Sequence, residues 1–152
     1  MLFSSLLIVA SGCVSVEQRK TYFEQSVKQI DEVKEKTPIF SEQLTFLCLG
    51  VKEGVATIFS NCTGNNPIEI YADGIYIYEM DSNNKFYILK KIDFNEIRRI
   101  EEGRSANFSY VISIQYKNYT YDSLQFDLLS KGKNAQRFLD IVSEKSGVPI
   151  SK

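Results

Sequence analysis

The sequence predicts an α+β fold: an N-terminal helix, a small and mostly antiparallel β-barrel or sandwich, and a C-terminal helix that caps it. Three observations carry this expectation. The hydrophobic period is helical near the start, changes to two between Ile39 and Leu129, and becomes helical again at the end. Turn-forming clusters (KEG, TGNNP, DSNN, EEGRSAN and KNYTYD) cut the middle into short runs. The composition is that of a chain with a packed core, 43% hydrophobic and 24% charged, with 8 Gly and 3 Pro in 152 residues. Setting aside the first twelve residues leaves one domain, long enough to bury roughly two-thirds of its unfolded surface.

The first element is an apolar run, residues 2 to 9, broken only by Ser4 and Ser5. As a helix it reaches roughly 12 Å, far short of a bilayer core of about 30 Å, and so matches the apolar part of a secretory signal, not a membrane span. The residues that follow, Ala10-Ser11-Gly12-Cys13, resemble the lipobox of bacterial lipoproteins. The resemblance implies removal of residues 1–12, a diacylglyceryl group on the Cys13 thiol and an acylated new amino terminus. Ser11, Gly12 and Cys13 fit the pattern, whereas Ala10 stands where Leu is commonest and no Lys or Arg precedes the apolar run. A start codon assigned too far downstream would account for the missing charge. Two or three acyl chains anchor stably where one does not. The implied address is the cell envelope, and Val14 in place of an aspartate implies the outer membrane, facing the periplasm.

An acylated N-terminus and a helix then occupy residues 13–38. Residues 16 to 36 carry one narrow apolar stripe, Phe23, Val27, Ile30 and Lys34, flanked by Val16, Lys20 and Val33. Thr37-Pro38 ends the helix, because a residue before proline is pushed out of the α region. Such a stripe suits packing on the chain's own sheet, or pairing with a second helix.

Residues 39–152 form the β domain with its C-terminal helix. The runs LTFLCLGV, VATIFSN, IEIYADGIYIYEM, KFYILKKIDF, YVISIQY and SLQFDLL alternate sides and predict six or seven short strands. Ala72-Asp73-Gly74 predicts a tight turn or bulge within the third run, since Asp-Gly favours positive φ. A hairpin of residues 45–51 and 55–60 around Lys52-Glu53-Gly54 sets Cys48 opposite Ile58. Cys48 and Cys62 are the candidate disulfide, as two thiols in an oxidising envelope usually pair. In that hairpin they lie about 13 Å apart along the strand, against Cα atoms within about 7 Å for a bridge, so pairing needs Cys62 to curl back or a wider hairpin. The last run, SKGKNAQRFLDIVSEKSG, predicts a helix with Phe138, Leu139, Ile141 and Val142 inward and a stop at Ser146-Gly147 before Pro149.

ADGIYIYEM, FYILKKIDFNEIRRIEE, YVISIQY and FDLLSKGKNAQRFLDIV, between residues 68 and 146, together resemble the pleckstrin-homology-like fold. In that family a strand with a glycine bend leads to a strand ending in a step like Ile92-Asp93-Phe94-Asn95-Glu96-Ile97. A further pair of strands and a helix that plugs the barrel follow. Closure would also protect the edges of these aromatic strands.

Composition bounds the chemistry. With no His, nucleophile systems that rely on histidine and histidine-based zinc sites are excluded. The formal net charge of −1 argues against general nucleic-acid binding. No phosphate-cradling glycine loop, CxxC or EF-hand spacing occurs, and no catalytic residue, metal site or cofactor is expected. Lys90, Lys91, Arg98, Arg99 and Arg104 are interleaved with Asp93, Glu96, Glu101 and Glu102, which reads as a solvated face with local ion pairs. Ile75 and Ile77 share one face of a strand and Tyr76 and Tyr78 the other. Such tyrosines usually stabilise a sheet; as an exposed patch, Tyr76, Tyr78, Tyr116, Tyr119 and Tyr121 are the candidate binding surface. Sequons at Asn61, Asn107 and Asn118 are coincidental if the lipobox operates. The expected role is a membrane-anchored binding or scaffolding module, partnered by the membrane through Cys13 and by an envelope protein. The alternatives are a carboxylate-dependent envelope hydrolase and a secreted glycoprotein.

Overall fold

The computed structural model describes residues 14–52, 55–58, 64–104, 110–117, 120–126 and 132–152. Helix α1, Val16–Val27, starts at a capping box in which the Ser15 hydroxyl accepts from the Gln18 amide and the Gln18 side chain accepts from the Ser15 amide. It is shorter than the 16–36 that the periodicity predicts. Near its end Ser26 donates to the Tyr22 carbonyl and accepts the amide of Phe86 from the sheet, 3.0 Å away. A serine hydroxyl bonded back one turn bends a helix, and here it ties the helix end to a strand edge. Beyond Lys28 the chain continues in turns, which fold Val33 into the interior (1% exposed) and set Lys36 over the Tyr76 ring.

The strands are β1 Phe40–Lys52, β2 Val55–Ile58, β3 Gly64–Tyr71, β4 Gly74–Met80, β5 Phe86–Asp93, β6 Ile97–Arg104, β7 Tyr110–Tyr116, β8 Thr120–Phe126 and β9 Ile150–Ser151. Helix α2, Lys133–Ser146, lies between β8 and β9. One sheet runs in the order β5-β4-β3-β1-β8-β7-β6-β9, with β2 paired to β1. Every pairing is antiparallel except the short parallel one of β9 on β6. The α+β class and the helix at each end are as expected, and so are the glycine bend, the 94–96 step and the C-terminal helix. Barrel closure is not seen: among the described residues β5 and β9 end the sheet without pairing to each other.

Two hydrophobic layers result. The inner one is filled by Ala135, Phe138, Leu139 and Val142 of α2 against isoleucines of β3, β4, β5, β6 and β7. Gly147, in the left-handed region at φ 70°, stops α2. The outer layer lies on the opposite face of β3, β4 and β5, where Phe23 of α1 and Val33 pack on Tyr71, Tyr76, Tyr78 and Phe86. Strand β4 is therefore buried on both sides, Ile75 and Ile77 inward and Tyr76 and Tyr78 outward.

Two irregularities decide which side chain faces which layer. The β4–β5 register slips between Ile77 and Tyr78, with Ile77 opposite Lys90 but Tyr78 opposite Ile88. Hence Ile92 joins the inner layer while Ile88 and Phe86, at the same parity, join the outer one. A second slip, between Ile97 and Arg99, lets Ile97 and Ile100 share the inner layer at a spacing of three. That broken alternation hid β6, which the sequence reading assigned partly to a turn. Strand β9 was likewise not expected.

The β1–β2 hairpin forms with its register shifted by one: Leu49, not Cys48, is opposite Ile58, and Lys52 pairs with Val55. Two residues, not three, connect the strands. The Ala72-Asp73 turn is as tight as predicted, with Tyr71 opposite Gly74, but positive φ is not its reason. Gly74 is required by space: a Cβ there would sit 2.6 Å from the Ile92 carbonyl oxygen. Gly74→Ala is therefore expected to lower unfolding free energy by about 1–3 kcal/mol, as overpacked sites do. Denaturant melts would show it, and an unchanged midpoint would refute the clash.

Candidate functional site

The sequence-predicted site residues do not converge. Cys13, Cys62 and Tyr119 lie outside the described residues. Cys48 lies in β1 opposite Asp122, and Tyr121 in β8 opposite Leu49. Tyr76 and Tyr78 are fully buried beneath α1 and the turn after it, and Tyr116 is buried in the inner layer. An exposed patch of these three is thus corrected: the face of β4 that carries Tyr76 and Tyr78 is covered, and Tyr116 points to the opposite layer. The basic run is bonded locally as expected, with Arg99 2.7 Å from Glu101, Arg98 donating to the Asn95 carbonyl and Lys90 over the Tyr116 ring.

The outer layer contains two polar centres. At one edge Asp73 accepts from Lys36 (2.8 Å), from the Tyr76 hydroxyl (2.8 Å) and from Lys91 (3.2 Å). Lys91 also meets Asp93 at 3.1 Å and Glu32 at 3.7 Å. Burial pushes the Asp73 carboxyl up, but these hydrogen bonds outweigh it and hold it well below the usual carboxylate range. The hydrogen bond to Asp73 in turn raises the Lys36 ammonium. Each charge faces its opposite, which reads as a structural clamp that fixes the 28–36 turn to the Ala72-Asp73 turn.

The second centre is different. Glu69, 5% exposed, projects from β3 on the same face as Tyr71. Its Oε2 accepts from Tyr71 (2.5 Å) and Tyr78 (3.1 Å), and its Oε1 from Ser41 of β1 (3.2 Å). Burial, and then the hydrogen bond to Glu69 for Tyr71 and the bonds to Tyr71 and Glu69 for Tyr78, push both tyrosine hydroxyls far above the ordinary phenol range, so they remain donors at any physiological pH. Among the described residues no cation lies within ion-pair distance of Glu69. Buried carboxylates are seldom left without a counter-charge.

Glu69 and Ser41 line a groove of about 500 Å³ between α1 and the sheet. Val16, Lys20, Phe23 and Glu24 form one wall, spaced so that they share a single face of α1. Pro38 just before β1, Glu42 near its start and Pro67 of β3 form the other. Val16, Phe23 and the two prolines supply the apolar part of the walls. Two carboxylates, Glu24 and Glu69, stand against one ammonium, Lys20, while the Glu42 carboxylate accepts from Asn134 of α2 on the other face of β1. The volume falls in the range of ligand clefts, and a mostly apolar lining with a few convergent polar groups is their usual composition.

No family model and no curated protein sequence matches this chain. Among solved structures it is similar to the N-terminally truncated linker-DH/PH domains of p115-RhoGEF, with a TM-score of 0.48 and 11% identity over 88% of this chain and 41% of that one. A second structure, of the linker-DH/PH domains of p115-RhoGEF, gives 0.47 and 11% over 88% and 40%. The chain thus spans about two-fifths of each. Neither likeness transfers a ligand, partner or site residue to it.

Among the described residues no group of three His, Cys, Asp or Glu side chains is placed to hold a metal, and no helix is long and apolar enough to cross a membrane. The groove is an apolar trough with a buried acceptor on its floor. Sequence reading missed Glu69 because a Glu inside an alternating strand looks solvent-facing. The available signal was indirect. Strand β4 is apolar on both faces, so the sheet must be covered on both, and its neighbour's outward Glu is covered with it.

Proposed function

We propose that this protein is a lipid-anchored bacterial envelope protein whose α+β domain is a binding module, with the α1–sheet groove as its binding site and no catalytic role. The address rests on Ser11-Gly12-Cys13 after an apolar run too short to span a bilayer. The observation that carries the functional reading is the juxtaposition of that anchor with the groove. Val16 lines the groove and stands three residues after Cys13. Three extended residues reach at most about 11 Å, so acylation of Cys13 would hold the groove at the headgroup surface with no linker between. The pleckstrin-homology-like reading fits a module of this kind, in which a rigid sheet supports a recognition surface.

The test is the intact mass of membrane-extracted protein, wild type beside Cys13→Ser. The expected result is a chain that begins at Cys13 and carries acyl mass, with both features lost in the variant. A wild-type chain that keeps residues 1–12 and carries no lipid would overturn the address. Sugar mass on an unacylated chain would favour a secreted glycoprotein instead.

A further inference from the structure

We propose that the groove receives a basic segment of a partner protein, a Lys or Arg side chain flanked by apolar residues, with the cationic head directed to Glu69. The inference rests on the reading of the groove as a binding site and names its ligand class. Charge complementarity carries it. Two carboxylates, Glu24 and Glu69, stand in the lining against one ammonium, Lys20, so an anionic ligand is repelled and a cationic one attracted. The floor carboxylate is nine-tenths buried, yet its three partners are neutral hydroxyls. A carboxylate offers about four acceptor directions, so three donors leave one, and the single-donor oxygen is Oε1, on the side of Ser41. Ser41 lines the groove together with Glu69. An N–H donor entering there would complete the shell and supply the missing counter-charge.

A free inorganic cation would satisfy the charge but leave the walls bare. Val16 is 77% exposed, and it lines the groove with Phe23, Pro38 and Pro67, an apolar surface that only a ligand with an apolar body would cover. Glu24, exposed on the α1 wall, gives a second basic residue of the same segment a place on the rim. Alternating apolar and basic side chains meet these demands together.

The experiment measures fluorescence anisotropy of a labelled hexapeptide of alternating leucine and lysine against the full-length protein in detergent. The same peptide with glutamate for lysine serves as control. The lysine peptide is expected to bind saturably and the glutamate peptide not to bind. Glu69→Gln should weaken binding by about tenfold or more, since losing one partner of a desolvated charge pair acts on the dissociation rate. Glu24→Lys, at an exposed position, should weaken it with an unchanged melting temperature, which separates the site from stability. Equal binding of both peptides, no binding of either, or indifference to both substitutions would overturn the proposal. So would complete displacement by spermidine, which would point to a free polyamine. Repeating the titration with Cys13→Ser keeps the two readings apart: retained binding with lost acylation would leave the groove assignment intact whatever the address.

Discussion

Phe23→Ala is expected to cost about 3–5 kcal/mol of unfolding free energy, the usual range for a truncated core phenylalanine. Phe23 is the only buried residue of α1, at 8% exposure. Its ring meets Tyr78 edge-on at 5.0 Å and Phe86 at 5.3 Å, so truncation removes two aromatic contacts as well as buried area. Besides this ring the helix is held by the partly buried Tyr22 and Val27, the Arg19 contact on Phe86 and the Ser26 tie, and an isolated helix of this length is marginal in water. Hydrogen exchange should therefore lose protection across Val16–Val27 while the amides of β7, in the inner layer, keep theirs. A variant that loses less than about 1 kcal/mol, with α1 still protected, would show that the outer layer does not depend on this ring. Because Phe23 also lines the groove, ligand binding should fail along with the helix.

Glu69→Ala is the second substitution with a large expected effect, about 2–5 kcal/mol. Deleting the carboxylate leaves the buried hydroxyls of Tyr71 and Tyr78 without their acceptor, and each buried unsatisfied group costs about 1–3 kcal/mol, whereas exposed Ser41 can turn to water. Tyr71 and Tyr78, 3.4 Å apart, compensate each other only weakly. Glu69→Gln keeps one carbonyl acceptor and should recover a good part of the loss. Equilibrium urea unfolding of the three proteins would measure this. Identical midpoints for Glu69→Ala and wild type would mean that water serves the hydroxyls, and that Glu69 does not organise the floor of the groove.

These two residues also mark how far the sequence could be read. Phe23 was legible: it sits on the apolar stripe of a segment with helical period, and the only error was the extent of that helix. The end at Val27 is set by Ser26, whose hydroxyl bridges the Tyr22 carbonyl and the Phe86 amide, a partner 60 positions away. Glu69 was not legible, because its neutral partners are supplied by β1 and β4 as well as by its own strand. The tyrosine face of β4 was read with the correct parity, but not the helix that covers it.

The sequence by itself determined those elements whose signals lie within a few residues of one another. The strict alternation of YVISIQY yields β7 at its predicted bounds, and Gly147 before Pro149 stops α2 where expected. Phe138, Leu139 and Val142 fill the inner layer as their helical spacing requires. Tertiary structure alone decided what depends on contacts between distant strands. The slips in β5 and β6 move side chains from one layer to the other, because a one-residue offset reverses the faces of a strand. Gly74 is fixed by the approach of the Ile92 carbonyl, and the order of the sheet by which distant strands pair. The groove belongs to this second class: its walls come from α1, β1 and β3, and its buried acid acquires meaning only once the helix lies across the sheet.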